Sequence, residues 1–227
     1  VVWNKAPMAT ANLAWGDAET ILLDMDGTLL DLAFDNYFWR ELMPRHVARS
    51  RGVPPQQIVD ELFAEYRQAE GSLRWYCLDH WSERFGLDLV ALKVASSQRI
   101  RYLPGAREFL IAARSAGKRL VLVTNAHGKA LAVKKSVAGL SRYLDGFLSS
   151  HELGFAKEQA AFWPALRERL GFDPASTVFM DDSLPVLTAA RAYGLGEIYA
   201  ISQPDSRQAV RQIAGFPVIR GLGELLD

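Results

Sequence analysis

Two aspartates one residue apart, in the run Asp24-Met25-Asp26-Gly27-Thr28, are the side chains of this 227-residue sequence best suited to chemistry. They follow the apolar run Thr20-Ile21-Leu22-Leu23, which reads as a buried strand with an acidic tip. On extended backbone, positions two apart face the same side, so both carboxyls point into one space. One can attack phosphorus and carry the phosphoryl group. The other can protonate the leaving oxygen and later activate the water that clears the intermediate. Gly27 lets the chain turn sharply beside them, and the Thr28 hydroxyl is expected to tie that turn. Such a transfer also needs a metal or cation to neutralise phosphate charge, and donors for its equatorial oxygens.

These residues need a frame. The runs RLVLVTN (119–125) and TVFMDD (177–182) repeat the pattern of an apolar strand with a polar tip, and GEIYAIS (196–202) is a weaker version. Helical patterns over 105–117, 128–140, 157–171 and 184–194 alternate with them, which predicts an α/β fold with a Rossmann-like parallel sheet. Ligands bind such sheets at the carboxyl ends of the strands, where Asp24, Thr124, Asp181 and Asp182 fall. From Phe34 to Arg101 the alternation stops. Four helical stretches and no strand predict an inserted helical bundle over 34–101, with the sheet domain formed by 14–33 and 102–227.

Composition narrows the function classes. Twenty-six basic residues balance 26 acidic ones, so the basic excess of a nucleic-acid binder is missing. Cys77 is the only cysteine, which excludes an intrachain disulfide and Cys-rich metal sites and points to a reducing cytoplasm. No apolar run reaches the length of a bilayer span, so no membrane partner is expected. The chain begins with Val1 rather than Met, consistent with an upstream extension, and the first residues lack the apolar stretch of a secretory signal. A monomer or homodimer is expected.

The DxDxT form of Asp24–Thr28 resembles the first motif of the haloacid dehalogenase superfamily. The resemblance extends in order to Thr124 after VLV, Lys157 in GFAKEQ, and Asp181-Asp182 after VFM. It implies that Asp24 is the nucleophile and Asp26 the acid/base. It implies further that Thr124, Asn125 and Lys157 hold the phosphate, and that Asp24, the Asp26 carbonyl, Asp182 and Asp181 bind Mg²⁺. Lys157 is expected to open a helix, and Glu158 stands where many relatives have Pro. The insert corresponds to a helical cap of the C1 type, a lid over the strand tips. LLDMDGTLLDLAFDNYFW, LRWYCLDHWSERFGLD, LVTNAH and GFAKE together resemble bacterial GMP/IMP 5′-nucleotidases of this superfamily. That likeness implies a purine mononucleotide substrate, a small phosphate monoester, with Asn36 and Arg40 as its contacts in the cap.

Other readings diverge at identifiable residues. A sugar-phosphate phosphatase or a phosphomutase would share all four motifs. A dehalogenase is disfavoured by the acid at Asp26, and a receiver-type signalling domain would place its acid pair first. In the cap, i,i+4 spacing pairs Trp75 with Asp79 and Tyr76 with His80, although most of these rings are expected to pack the bundle. Asp31 and Asp35 read as caps or turn formers, and His127 as a surface histidine at a helix start.

Overall fold

The computed structural model describes residues 15–226; the expected start of the sheet domain at 14 and the reading of the first residues lie outside them. Six parallel strands form one sheet: β1 (Thr20–Leu23), β2 (Arg119–Thr124), β3 (Gly146–Ser149), β4 (Thr177–Asp181), β5 (Glu197–Ile201) and β6 (Val218–Ile219). Their order is β3-β2-β1-β4-β5-β6, that of a doubly wound sheet. β1 is central, with Leu22 opposite Val121 on one side and Phe179 on the other.

The helices are α1 (Ala33–Tyr37), α2 (Met43–Arg51), α3 (Pro55–Ala69), α4 (Leu73–Tyr76), α5 (Leu78–Phe85), α6 (Leu89–Ala95), α7 (Ala106–Ser115), α8 (Gly128–Ala138), α9 (Phe162–Leu170) and α10 (Leu184–Tyr193). Period-two alternation divides the strand residues between two cores. Ile21, Leu23, Leu120 and Leu122 pack with Phe109 and Leu110 of α7 and Leu131 of α8. Leu22, Val121, Val123 and Phe179 pack with Phe162 and Trp163 of α9 and Leu187 of α10. A strand buried on both faces reads as a continuous apolar run, which is why TILL, LVLV and TVFM stand out.

Six helices, α1 to α6, lie between β1 and α7, with an apolar core of their own around Phe38, Leu62, Tyr66 and Trp81. The first two expected helical stretches appear, but the opening one carries a π-helical turn, Phe38–Leu42, between α1 and α2. Pro44 follows at once. A proline has no N–H and crowds the carbonyl four residues back, and the wider turn accommodates that defect. The third stretch breaks at Cys77, whose backbone is extended (φ −78°, ψ 106°) and whose Sγ accepts the His80 N–H at 3.4 Å. The expected pairs 75/79 and 76/80 therefore straddle a break and share no helix face. The chain leaves and re-enters the sheet region at one place. Leu30 bridges antiparallel to Tyr102, with Leu103 N–H donating to Leu29 O at 2.9 Å and Asp31 N–H to Arg101 O at 2.9 Å.

Candidate active site

The tip of β1 is locked between its neighbours. Asp24 N–H donates to Met180 O at 3.0 Å, and the chain then folds back as Leu29 and Leu30 N–H both donate to Met25 O. Gly27 has φ +89°, and a Cβ there would lie 2.8 Å from Asp182 Cγ and 2.9 Å from Pro204 Cβ. The glycine supplies both the left-handed turn and the room for Asp182 to approach Asp26. Thr28 is fully buried, but its Oγ1 has no hydrogen-bond partner among the described residues, so the backbone ties the turn and the hydroxyl does not.

Lys157 is the hub. Its Nζ donates to Asp24 Oδ1 at 2.5 Å, Asp181 Oδ2 at 2.7 Å and Val123 O at 3.0 Å. It does not open a helix. α9 begins at Phe162, and Lys157 lies in the preceding turn, held by Asn125 Oδ1 on its N–H (2.9 Å) and Trp163 Nε1 on its carbonyl (3.0 Å). Those tertiary bonds outweigh the helical pattern over 157–161. Thr124 Oγ1 accepts the Ala126 N–H at 3.0 Å at the carboxyl end of β2. Asp24, Asp26, Thr124, Asn125, Lys157 and Asp181 all line one cavity of about 500 Å³, and Asp182 joins them.

Negative charge is in excess here. Burial, then Asp181, Asp182 and Asp26, push the Asp24 carboxyl up, with Lys157 opposing. Burial and Asp181 push Asp182 up to about 7, relieved in part by Arg211 at 3.4 Å. Burial pushes Lys157 down, but Asp181 and Asp24 outweigh it and hold the ammonium above its ordinary value. Asp24, Asp181 and Asp182 each offer a carboxylate oxygen within 4.8 Å of one another. Crowded carboxylates held apart by one lysine fit a hard divalent cation, whose ligands are oxygens.

A second charge cluster escaped the sequence reading. Lys134 Nζ, only 2% exposed, lies 2.7 Å from Asp26 Oδ1 and 2.5 Å from Asp35 Oδ2. Lys93 of α6 reaches Asp35 Oδ1 at 2.9 Å and sits 4.1 Å from the Phe38 ring centroid. Asp35 is thus the junction of two buried lysines and not a turn former, whereas Asp31 does form a turn, accepting the Ala33 N–H at 3.0 Å. Burial pushes Asp26 up and Lys134 pulls it down, with the net shift upward. The signal was present in α8, where Ala130, Leu131 and Lys134 fall on one buried stripe.

Glu158 also matters more than a proline substitute would. Its carboxylate accepts from Asn125 Nδ2 at 2.8 Å and from Tyr76 Oη of the insert at 3.0 Å. Asn36 lines the cavity, but its Nδ2 is engaged by Asp205 Oδ2 at 2.8 Å; Arg40 lines the cavity and is exposed. Trp39, Trp75 and Trp81 surround Tyr66 edge-on at 5.1–5.8 Å, packing the insert and walling the cavity at once. His127 is half-buried rather than a surface residue.

The haloacid dehalogenase-like hydrolase family model matches residues 18–194. The chain is 41% identical over 215 residues to the GMP/IMP nucleotidase YrfG of Escherichia coli K12, covering 95% of this chain and 97% of that protein. Among solved structures, a HAD phosphatase from Thermococcus onnurineus superposes with TM-score 0.77 at 22% identity, covering 91% of this chain and 95% of that one. CbbY from Rhodobacter sphaeroides, in complex with phosphate, gives 0.64 at 20% identity, with 92% and 96% covered. A doubly wound sheet, an insert after β1, four motifs converging on one lysine and these matches agree: the chain belongs to the haloacid dehalogenase-like hydrolases.

Proposed function

We propose that this chain is a Mg²⁺-dependent phosphatase that removes the 5′-phosphate of purine nucleoside monophosphates, GMP and IMP, through an aspartyl-phosphate on Asp24. The observation that carries the reading is the position of Asp24, buried at the cavity floor and shared with Asp181 through one ammonium. The 41% identity to a GMP/IMP nucleotidase supports the substrate, as does the aromatic wall above the floor, since a purine needs a flat apolar partner.

Asp24 attacks phosphorus in line, forming a new O–P bond as the bond to the 5′-oxygen breaks. Asp26 gives its proton to that departing oxygen, and its raised pKa suits the task. Asp26, now a carboxylate, takes a proton from water as the water oxygen attacks the phosphoenzyme, releasing phosphate and restoring Asp24. Thr124, Asn125 and Lys157 hold the equatorial oxygens, and Lys157 aims Asp24 and opposes its protonation. The Asp24 carboxylate, the Asp26 carbonyl, Asp182 and Asp181 would hold Mg²⁺, which supplies charge neutralisation for the transferring group. Residues 34–101 act as a lid, a second domain over the sheet, that excludes water and meets the nucleoside through Arg40 and the aromatic wall. The substrate is a free small molecule, and the expected setting is cytoplasmic. No described helix is long and apolar enough to cross a membrane.

The test is phosphate release from GMP, IMP, AMP, glucose 6-phosphate and glucose 1-phosphate, with and without EDTA. GMP and IMP should give the highest kcat/KM, Asp24→Asn should be inactive, and chelation should silence the enzyme until Mg²⁺ is restored. A preference for the hexose phosphates overturns the nucleotidase reading, and turnover by Asp24→Asn overturns the nucleophile.

A further inference from the structure

About the break in the insert, three ligand-bearing side chains meet that the hydrolytic reaction does not use. Cys77 lies between α4 and α5, His127 caps the start of α8, and His151 sits in the short 3-10 turn Ser150–Glu152 after β3. One ligand atom from each lies within 4.8 Å of the other two. Their sources matter: Cys77 belongs to the helical insert, and both histidines belong to the loops at the strand tips.

The imidazoles are poised as acceptors. His127 Nδ1 and His151 Nε2 are buried and have no hydrogen-bond partner among the described residues. A buried polar atom without a partner is costly, so two such atoms on the histidines that cluster with Cys77 call for an occupant. The two rings are perpendicular (89°) with centroids 5.0 Å apart. Burial holds both histidines below their ordinary pKa, against Asp79 in one case and an Asn125 backbone hydrogen bond in the other, so both are neutral near pH 7. The other nitrogen of His127, Nε2, lies 3.8 Å from Asp79 Oδ2.

We propose that Cys77, His127 and His151 form a second metal site, for a borderline-soft divalent ion of which zinc is the type, and that the bound ion clamps the helical insert onto the sheet. One thiolate and two imidazoles select such an ion over magnesium, whose preference is for oxygen. Tetrahedral zinc with ordinary bond lengths sets its ligand atoms roughly 3.5 Å apart, so a trio within 4.8 Å needs to contract by up to roughly 1.3 Å. Three protein ligands leave the fourth position to water. On binding, the Cys77 S–H bond breaks, its proton goes to solvent and a metal–sulfur bond takes its place, with no change of oxidation state. The site joins the two parts of the chain beside Tyr76, Asn125 and Glu158, where the lid meets the phosphate-side loop.

The test uses the full chain with saturating Mg²⁺ and cobalt(II) as the spectroscopic probe. The wild type should show a thiolate-to-cobalt charge-transfer band that saturates at one equivalent and is displaced by zinc. Cys77→Ser should lose the band, His151→Gln should weaken cobalt and zinc binding by at least about tenfold, and Asp182→Asn should keep both. Zinc should also slow amide hydrogen exchange across residues 73–85 in the wild type and leave Cys77→Ser unchanged. No thiolate band in the wild type, or undiminished affinity in His151→Gln, overturns the site. Unaltered exchange with zinc bound overturns the clamp.

Discussion

Replacing Lys134 with Met removes the buried cation between two half-buried carboxylates. Its Nζ is 2.7 Å from Asp26 and 2.5 Å from Asp35, and the three side chains are 2%, 19% and 15% exposed. Methionine fills similar volume, so packing is largely kept and the loss is electrostatic. Removing one partner of a buried pair costs about 3–5 kcal/mol because the other charge stays behind. Asp26 already has a raised pKa and can escape by taking a proton, and Lys93 still holds Asp35, so the low end, about 3 kcal/mol, is expected. At about 2–4 °C per kcal/mol for a chain of this size, that is a Tm fall of roughly 6–12 °C. The sign with pH can be worked out. Asp35 sits below its ordinary value because Lys134 and Lys93 outweigh its burial. That stability is present above the unfolded carboxylate pKa and lost as pH falls, so the gap between variant and wild type should narrow below about pH 4. Calorimetry of wild type, Lys134→Met, Asp35→Asn and the double variant measures both effects, with a coupling of about 1–3 kcal/mol expected. Lys134 also pulls the Asp26 pKa down, so the basic limb of kcat/KM should move to higher pH in Lys134→Met. A Tm fall below 2 °C, or strict additivity, would refute the reasoning.

Three further outcomes follow from the site. Gly27→Ala forces a side chain into φ +89° and against Asp182 and Pro204; it should cost about 1–3 kcal/mol in a urea melt and raise the Mg²⁺ concentration needed for half-activity. Tyr76→Phe removes the 3.0 Å bond from the insert to Glu158 and should lower kcat/KM about tenfold, the kinetic equivalent of 1.4 kcal/mol, without changing the metal requirement. Asp182, pushed up to about 7 by burial and Asp181, binds its proton more tightly folded than unfolded, so it destabilises the metal-free protein increasingly as pH rises from about 4 to 7. Asp182→Asn should therefore raise the Tm in EDTA at pH 7.5, with the difference closing by about pH 4, and should lose the stabilisation that Mg²⁺ gives the wild type.

What could be read from sequence was what each residue declares locally. Strands buried on both faces announce themselves, so β1, β2 and β4 and their polar tips were found within a residue of their ends. β3 has Gly146 and Ser149 in four residues at the sheet edge, and β6 is two residues long; neither carries an apolar run long enough to notice. Lys157 was identified by its place in the motif series, but its hold on both Asp24 and Asp181 depends on Asn125 reaching across 32 positions. Lys134 hid because a lysine reads as solvated unless its helix face is known, and its partners are about a hundred residues away along the chain. Cys77 looked like a mid-helix residue because neither neighbour is Gly or Pro; only its extended backbone reveals the break.

The bridge between Leu30 and Tyr102 has a consequence for how this sheet can change over time. Departing and returning chain lie side by side, so whatever is threaded between them imposes almost no geometric demand on the strands. Seventy-odd residues can be lengthened or shortened at that doorway with little cost in chain closure. What the insert must keep at that doorway is its few polar ties to the sheet side, Asp35 to Lys134 and Tyr76 to Glu158.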